Sequence, residues 1–203
     1  MATYKDKMQE TIIDAARELF LEKSIAKVFI TDIAKKAGIG EATIYRYFKK
    51  KQNLALQVAI KEWQSVSKNF KSNNKGRGYE RIDDFYQMFL TTFIEHKNFF
   101  AFLDEFDQLI LNDQTLDHNA YQKSLLEIKN LYDEAYLLGI NDHSIKELTN
   151  KDLFYYTTTH ALLSLCKKLS IDNQFDAYIS LKKEEEIAML IKLITKELKG
   201  EEK

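Results

Sequence analysis

The stretch that decides the fold reads Ile30-Thr-Asp-Ile-Ala-Lys-Lys-Ala-Gly-Ile-Gly-Glu-Ala-Thr-Ile-Tyr-Arg-Tyr-Phe48. Its apolar residues recur at helical spacing and predict two short helices, over residues 31–37 and 41–48. Gly38 and Gly40 lie between them and indicate a tight break in the chain. Two short helices joined by such a turn are the elements of a helix-turn-helix. Because the major groove of DNA admits one α-helix, the second helix is a candidate for reading DNA.

The second of these helices divides into two faces. Ile44 and Phe48 stand four residues apart and predict the face that packs inward. The residues outside that face carry groups that can bond to phosphates and base edges. They are Thr43, Tyr45, Arg46 and Tyr47, and Lys49, Lys50 and Lys51 follow at once. The alternative is that these aromatic residues belong to the core and the lysines to a solvated turn, because helix-turn-helix geometry also occurs in proteins that never bind DNA.

Helical periodicity continues on both sides of this motif. Further helices are predicted over residues 4–22, 51–70, 79–96, 98–111, 116–138, 150–169 and 183–199. The chain has no proline, and no useful length of it alternates as a half-buried strand would. A polar, glycine-rich stretch at residues 72–78 is predicted to be a loop between domains. The sequence therefore predicts an all-α protein, with a three-helix helix-turn-helix domain over residues 1–50 and a larger helical bundle over residues 51–203.

Residues 12–60 resemble the N-terminal domain of the tetracycline-repressor (TetR) family of bacterial regulators. The matching strings, in order and without a gap, are Ile12-Ile-Asp-Ala-Ala-Arg-Glu-Leu-Phe20, Ile30-Thr-Asp-Ile-Ala-Lys-Lys-Ala-Gly38 and Ala42-Thr-Ile-Tyr-Arg-Tyr-Phe48, followed by Lys51 and Leu54. The resemblance covers about a quarter of the chain. It implies a helical homodimer that represses transcription from double-stranded operator DNA and that a small-molecule effector releases. A two-fold dimer would read an inverted repeat.

The sequence departs from the family pattern where the second and third helices start. Val28 and Phe29 stand where the family usually has a Ser or Thr that caps the second helix. We therefore expect Thr31 to cap that helix and to shorten it by about a turn, and to be a candidate contact for the DNA backbone. Gly40 stands where Ser or Thr is usual, which predicts a third helix without a side-chain cap.

Roles in DNA binding can be assigned to the exposed residues. Arg46 and Thr43 are candidates for base edges, because Arg can bond guanine at two acceptors and Thr can contact the thymine methyl group. The matching family positions imply phosphate contacts for Tyr45, Tyr47 and Lys51.

Charge is divided unevenly along the chain. Residues 1–72 hold 14 Lys and Arg against 8 Asp and Glu, a net +6, whereas residues 73–203 hold 16 against 23, a net −7. The whole chain is close to neutral, at −1. A basic N-terminal part and an acidic C-terminal part indicate that only the first meets a polyanion. Chance clustering of charges on solvated faces is the alternative.

Aromatic residues crowd the part of the chain from residue 79 to residue 136. In a helical bundle most of them must be core, and a subset is expected to line a cavity. Apolar walls with a few tyrosine hydroxyls suit a small apolar or aromatic ligand. The candidates for ligand binding are Phe85, Phe89, Phe93, Phe106, Tyr132 and Tyr136.

The last two predicted helices carry apolar stripes that suit a dimer interface. Residues 150–169 have apolar residues on two sides, and a helix of that kind is buried on two sides. One side can pack within the subunit and the other against a partner, as in similar proteins, which dimerise through a four-helix bundle of their last two helices. The predicted interface residues are Phe154, Ala161, Leu165, Leu190, Ile191 and Ile194. The alternative is a helix buried wholly in its own core.

The sequence contains no motif for catalysis, metal or cofactor. Cys166 is the single cysteine, so the chain forms neither an internal disulfide nor a thiolate cluster. None of the four histidines follows an acidic residue at the spacing of helical di-iron sites, although His160 stands out within an apolar helix. Nucleophile motifs and phosphate-binding glycine loops are also missing. We therefore expect no enzyme activity, no metal and no cofactor.

The polar N-terminus and the lack of a long apolar run predict a cytoplasmic protein without a membrane partner.

Two other functions remain open from the sequence. One is a helical small-molecule-binding protein or enzyme that keeps the helix-turn-helix only as structure. The other is a regulator gated by a protein partner, without ligand induction. The exposed Tyr-Arg-Tyr face and the lysines that follow it favour DNA binding over the first, because structure alone does not require them.

Overall fold

The computed structural model describes residues 3–72, 76–111, 113, 115–171 and 182–200. Within these residues the chain forms nine α-helices and no β-strand, so the predicted all-α fold is confirmed. The helices are α1 Tyr4–Glu22, α2 Ile30–Ala37, α3 Glu41–Phe48, α4 Lys51–Ser72, α5 Gly78–Glu95, α6 Lys97–Leu111, α7 Asn119–Asn141, α8 Lys151–Ser170 and α9 Lys183–Leu198. A 3₁₀ turn, Ile25–Lys27, lies between α1 and α2.

The helix bounds agree closely with those predicted from the sequence. Helices α1 and α3 have the predicted bounds, and the others begin and end within a few residues of theirs. One expectation was wrong: α2 begins at Ile30 rather than after Thr31. The predicted loop at residues 72–78 includes residues 73–75, which lie outside the described residues.

Helices α1, α2 and α3 share one apolar core. Helix α1 begins at Thr3, whose hydroxyl accepts the N–H of Asp6 while the Asp6 carboxylate accepts the N–H of Thr3. This exchange satisfies two of the N–H groups that a helix start leaves unpaired. The core residues of the three helices are Ile12, Ala15, Ala16, Leu19, Phe20, Ile33, Ala34, Ile44 and Phe48, all buried.

Helix α4 belongs to both parts of the molecule. It packs against α1 as well as against α6 and α7. Glu62 of α4 is buried and pairs with Arg17 of α1, and Lys61 Nζ lies 2.5 Å from Asp14 Oδ1. Removing Arg17 would leave a buried carboxylate unpaired, so this pair ties α4 to α1. The domain boundary between residues 50 and 51 stays a prediction, since α4 packs on both parts.

Helix α5 packs against α7 and α9 at the centre of the C-terminal bundle, and its Phe85 and Tyr86 are fully buried. Gly78, the first residue of α5, meets Gly139 of α7. A Cβ at Gly78 would lie 2.0 Å from the Gly139 backbone nitrogen, so the two helices approach this closely only because Gly78 lacks a side chain. Gly139 lies within α7 where the Ile145 side chain leaves no room for a Cβ, which would lie 2.3 Å from Ile145 Cδ1.

Two kinds of feature are missing from the described residues. No helix there is both long and apolar enough to cross a bilayer. No group of three or more His, Cys, Asp or Glu residues could hold a metal ion. Cys166 is buried, and that burial raises the pKa of its thiol to about 12, so the thiol stays protonated near neutral pH.

Candidate DNA-binding surface and ligand cavity

The turn between α2 and α3 depends on Gly38. Its φ of 68° and ψ of 32° lie in the left-handed region, which residues with a Cβ rarely adopt. From this position the N–H of Gly38 donates to Lys35 O, and the N–H of Ile39 donates to Ala34 O. The last carbonyls of α2 are thereby satisfied. The chain then enters α3 through Gly40, and no side chain caps that helix, as predicted.

Helix α3 presents an aromatic and cationic surface opposite its buried face. Tyr45 is 49% exposed, Arg46 is exposed, and Thr43 and Tyr47 are half-buried. The guanidinium carbon of Arg46 lies 5.2 Å from the centre of the Tyr47 ring, a cation–π contact. The structure therefore brings four of the six predicted DNA-binding residues together on one short helix.

Helix α2 starts two residues earlier than a Thr31 cap would require. The Asp32 carboxylate accepts the N–H of Phe29 at 2.9 Å, so an acidic residue in the first turn pairs with the capping backbone although Phe29 has no polar side chain. Thr31 does not cap the helix. It is exposed in the first turn of α2, where its DNA contact stays a prediction. Phe29 itself is 67% exposed.

Lys51 binds the protein's own backbone. Its Nζ donates to the carbonyl oxygens of Ile25 (2.8 Å) and Val28 (3.0 Å), and burial lowers its pKa. The same segment also binds α6, because Glu105 accepts the N–H of Ile25 (2.6 Å) and the hydroxyl of Ser24 (2.9 Å). The chain between α1 and α2 is thus held by both α4 and α6. The implied phosphate contact of Lys51 stays a prediction, since two of its three N–H groups are engaged here.

Lys50 joins the end of α3 to the segment between α6 and α7. Its ammonium pairs with Asp113 and donates to Thr115 Oγ1 at 2.6 Å. Thr115 donates to Asp113 Oδ1 from its hydroxyl (2.6 Å) and its N–H (3.0 Å). The bonds from Lys50 and Thr115 hold the pKa of the Asp113 carboxyl at about 2. Sequence reasoning missed this cluster because Lys50 and Asp113 are 63 residues apart and no local pattern links them.

A cavity of about 360 Å³ lies between α4, α5, α7 and α8. Its apolar wall residues are Trp63, Phe89, Leu125, Leu126, Ile128, Tyr155, Tyr156 and Leu163, and its polar ones are Gln122, Lys129, Thr159 and His160. Leu126 is 55% exposed and Tyr156 is 47% exposed, so the cavity is open to solvent. Its size and mainly apolar lining suit a small organic ligand.

Two of the polar groups in the cavity wall are bonded within the protein. The Lys129 ammonium pairs with Asp133 (2.7 Å) and Asp152 (2.9 Å). The Thr159 hydroxyl donates to Tyr155 O at 2.7 Å. Because the charge of Lys129 is already balanced by two carboxylates, the lining favours an apolar or aromatic ligand over an anionic one.

Trp63 connects the cavity to the N-terminal helices. It is the single tryptophan of the chain, and it is buried. Its ring lies edge-on to Phe99, with the ring centres 5.2 Å apart, and its Nε1 donates to Tyr121 Oη at 3.3 Å. Trp63 belongs to α4, which begins at Lys51. One continuous helix therefore joins the cavity wall to the segment that Lys51 holds.

Of the six residues predicted for ligand binding, Phe89 lines this cavity and the others do not. The remaining five, Phe85, Phe93, Phe106, Tyr132 and Tyr136, are buried in the core. Their rings pack against other rings; the centres of Phe85 and Tyr132, for example, are 5.6 Å apart. Helical spacing identifies the apolar side of a helix but does not show whether that side meets another helix or a void. On α8, the sequence drew attention to one residue of the cavity wall: His160 stands out because it is a histidine within an apolar helix.

The outer face of α8 and α9 differs from the predicted interface. Ile191 and Ile194 are buried within their own subunit, at 0% and 7% exposure. The large apolar residues of α8 and α9 that are more than half exposed are Leu153 (63%), Met189 (56%) and Leu193 (60%). Of the other predicted residues, Ala161 is exposed, and Phe154, Leu165 and Leu190 are half-buried. A dimer face on α9 must therefore use the Met189–Leu193 side of that helix.

Comparison with known proteins identifies the N-terminal sequence. Residues 12–58 match the family described as bacterial regulatory proteins, tetR family. The HTH-type transcriptional regulator AlkX of Mycobacterium tuberculosis (strain ATCC 25618 / H37Rv) is 29% identical over 94 residues, which cover 46% of this chain and 41% of AlkX. The match thus spans less than half of that relative's own length.

Solved structures share the fold over nearly the whole chain. FadR from Bacillus subtilis, in complex with stearoyl-CoA, gives a TM-score of 0.69 at 19% identity and covers 93% of this chain and 98% of FadR. RolR, in complex with resorcinol, gives 0.64 at 16% identity and covers 98% of this chain and 90% of RolR. Residues 12–58 therefore match the tetR family of bacterial regulatory proteins, and nearly the whole chain shares the fold of FadR and RolR.

Proposed function

We propose that the protein is a transcriptional repressor that binds an inverted-repeat operator as a homodimer and is released by a small apolar or aromatic ligand. The observation that carries the proposal is the surface of α3, where Tyr45 and Arg46 are exposed beside Thr43 and Tyr47. This surface belongs to the part of the chain with a net charge of +6. Inserted in the major groove, α3 would offer Arg46 to guanine and the tyrosine hydroxyls to phosphates.

Replacing the Arg46 side chain tests this function. An operator is first selected from random duplexes with the wild-type protein, and affinities are then measured by fluorescence anisotropy. We expect Arg46→Ala to weaken binding to the selected duplex by about 1–3 kcal/mol and to relax the preference at one base pair of each half-site. Arg81→Ala on α5 is the matched control, because it removes the same charge outside α2 and α3 and should bind like the wild type. If Arg46→Ala binds the selected duplex as tightly as Arg81→Ala does, the proposed role of α3 is contradicted.

Ligand release is supported by the cavity between α4, α5, α7 and α8. Its wall includes Trp63 of α4, and the first residue of that helix, Lys51, holds the segment between α1 and α2. A ligand that displaces α4 would therefore alter the placement of α2 and α3. Stearoyl-CoA and resorcinol, the ligands of the two similar structures, serve as probes of a long acyl chain on an anionic group and of a small aromatic ring.

Dimerisation is supported by the exposed apolar residues of α8 and α9. Leu153, Met189 and Leu193 are each more than half exposed in the single subunit. Burying an exposed leucine side chain contributes about 1.5–3 kcal/mol, so an interface that covers these residues gains from their burial. A two-fold dimer would present two α3 helices to half-sites about 34 Å, or a multiple of that, apart.

A further inference from the structure

The cluster of Lys50, Asp113 and Thr115 lies at the junction of α3 and α4. Lys50 is the last residue before α4 and the second after α3. Its partners Asp113 and Thr115 belong to the segment that follows α6, 63 and 65 residues further along the chain. The contact therefore connects the proposed DNA-binding helices to the C-terminal bundle.

This ion pair can be exchanged for another partner. The side chains of Lys50 and Asp113 are 30% and 17% exposed, and Thr115 is exposed. Ion pairs that water reaches contribute little to stability, because solvent and salt screen them. Separating the pair leaves two charges that remain accessible to water, so a competing anion can take the ammonium group at low cost.

A DNA phosphate is such an anion. Lys50 follows directly on the helix proposed to enter the major groove, where phosphates line both edges of the groove. Lys51 cannot bind a phosphate in this way unless it gives up its hydrogen bonds to the carbonyl oxygens of Ile25 and Val28. The bonds of Lys50, in contrast, end on two side chains at the surface.

We propose that Lys50 is a phosphate-binding residue of the protein's DNA-binding surface. In the DNA-free protein, Asp113 forms an ion pair with the Lys50 ammonium group, and Thr115 holds Asp113 in place. The proposal rests on the proposed function of DNA binding. Asp113 opposes binding because it neutralises Lys50, which must give up this ion pair before it can bind the phosphate. When DNA binds, the ammonium passes to the phosphate, and the Asp113 carboxylate keeps its bonds from Thr115.

The test is the salt dependence of binding to a random-sequence duplex, with the full chain and its Asp113→Asn variant. Each phosphate neutralised by a lysine steepens the plot of log affinity against log salt by about 0.9. In the wild type, the cation that this phosphate releases is offset by a cation that the freed Asp113 carboxylate takes up, so Asp113→Asn should steepen the slope by about one unit per subunit. Between about 50 and 200 mM NaCl, the affinity lost should grow roughly 3.5-fold per subunit. At the low-salt end the variant should bind more tightly than the wild type.

Three further variants separate this mechanism from a general charge effect. In Lys50→Met/Asp113→Asn the gain should disappear, because the effect of Asp113 acts through Lys50. Thr115→Val should change binding in the same direction as Asp113→Asn, by less and without a change in charge. Asp117→Asn removes the same charge from a carboxylate that accepts the N–H of Asn119 (3.0 Å). Asp117→Asn should raise DNA affinity by less than Asp113→Asn does, and adding Lys50→Met should not change that gain.

The outcomes distinguish this proposal from the function on which it rests. Equal slopes for the wild type and Asp113→Asn, or a gain that survives in the double variant, would overturn the role of Lys50 and leave DNA binding standing. No salt-dependent binding of any duplex by the wild type would overturn the proposed function and this inference with it. Thermal unfolding of each variant checks that the fold is intact.

Discussion

Three consecutive lysines follow α3, and each has a different environment. Lys49 is exposed and has a φ of 62°, and across it the N–H of Lys50 donates to Phe48 O at 2.7 Å. The chain reverses sharply at this residue. After the reversal Lys50 reaches the segment behind α6, and Lys51 reaches the backbone between α1 and α2. In the sequence the three form one basic run, but only the conformation of the backbone decides which of them reaches DNA.

The two carbonyl contacts of Lys51 lead to a prediction about stability. Lys51→Met keeps the apolar stem but removes the donor, so the carbonyls of Ile25 and Val28 each lose one hydrogen bond. Because bonds from a charged donor contribute about 1–3 kcal/mol, we expect the free energy of unfolding in urea to fall by about that amount. Amide exchange in the segment between α1 and α2 should also accelerate.

Lys27→Met is the control for this prediction, since Lys27 is an exposed lysine of the same segment and should change stability by less than about 0.5 kcal/mol. If Lys51→Met unfolds like the wild type, the lysine does not support this backbone. Its implied role as a phosphate contact would then stand alone.

Individual residues were predictable where their role depends on neighbours in the chain. Arg46 and Tyr45 were expected on the exposed side of α3 because Ile44 fixes the inward side, and the structure places them there. Thr31 was wrongly expected to cap α2, because the Asp32 carboxylate can satisfy the backbone at the helix start when the capping residue is Phe29. Contacts between distant residues, such as the pair formed by Lys50, leave no local pattern.

At the scale of helices, the spacing of apolar residues predicted where each helix lies but not what each side of it contacts. In α9 the residues Ile187, Ile191 and Ile194 face the core of the subunit, whereas Met189 and Leu193 are exposed. Both sets are apolar, so the sequence alone could not rank them as core or interface. A buried side can be recognised only when the neighbouring helix, here α5, is in place.

The exposed apolar residues Leu153 of α8 and Leu193 of α9 lead to a prediction about assembly. The variant Leu153→Glu/Leu193→Glu places two carboxylates in the proposed dimer interface, and burying them there costs several kcal/mol. Light scattering should give twice the chain mass of 23.8 kDa for the wild type and the single-chain mass for the variant. Both residues are more than half exposed in the subunit, so the fold of the subunit should survive the change.

Ile94→Glu is the matched control for assembly, because Ile94 is 60% exposed but lies on α5. It should leave the mass at the dimer value. A wild-type mass of a single chain, or equal effects of the two charged variants, would contradict the proposed interface. Substituting Ile191 or Ile194 would not distinguish these cases, since both are buried in the subunit and a charge there would disturb the fold itself.

At the scale of the whole molecule, the N-terminal helices are tied to the bundle at several points. Helix α4 packs on both parts, Glu105 of α6 binds Ser24 and Ile25, and Lys50 binds the segment after α6. Because these contacts are polar and specific, a shift of α4 or α6 would be passed to α2 and α3. The division into a small and a large part stays a prediction made from charge and glycine positions. The ties between them could not be predicted, because they join residues far apart in the chain.

The last prediction concerns the cavity and uses Trp63 as its reporter. As the single tryptophan and a wall residue, Trp63 should change its fluorescence saturably when one of the two probe ligands enters. Leu126→Glu puts a charge in the wall and should weaken that binding at least tenfold, because an apolar ligand cannot pair with the carboxylate. Leu137→Glu is the matched control on the same helix: Leu137 is similarly exposed, at 61% against 55%, but lies outside the wall, so this variant should bind the probe normally.

The same titration, repeated with the selected operator present, tests whether the cavity controls DNA binding. A ligand can shift the protein between two conformations only by as much as it prefers one of them, and the coupling must be equal in both directions. A typical coupling of about 1–3 kcal/mol would make the operator weaken ligand binding about 5–150-fold, and the ligand weaken operator binding by the same factor. Equal ligand affinities with and without operator would mean that the cavity binds a molecule without acting as a switch. Saturable binding that Leu126→Glu leaves unchanged would place the ligand elsewhere in the protein.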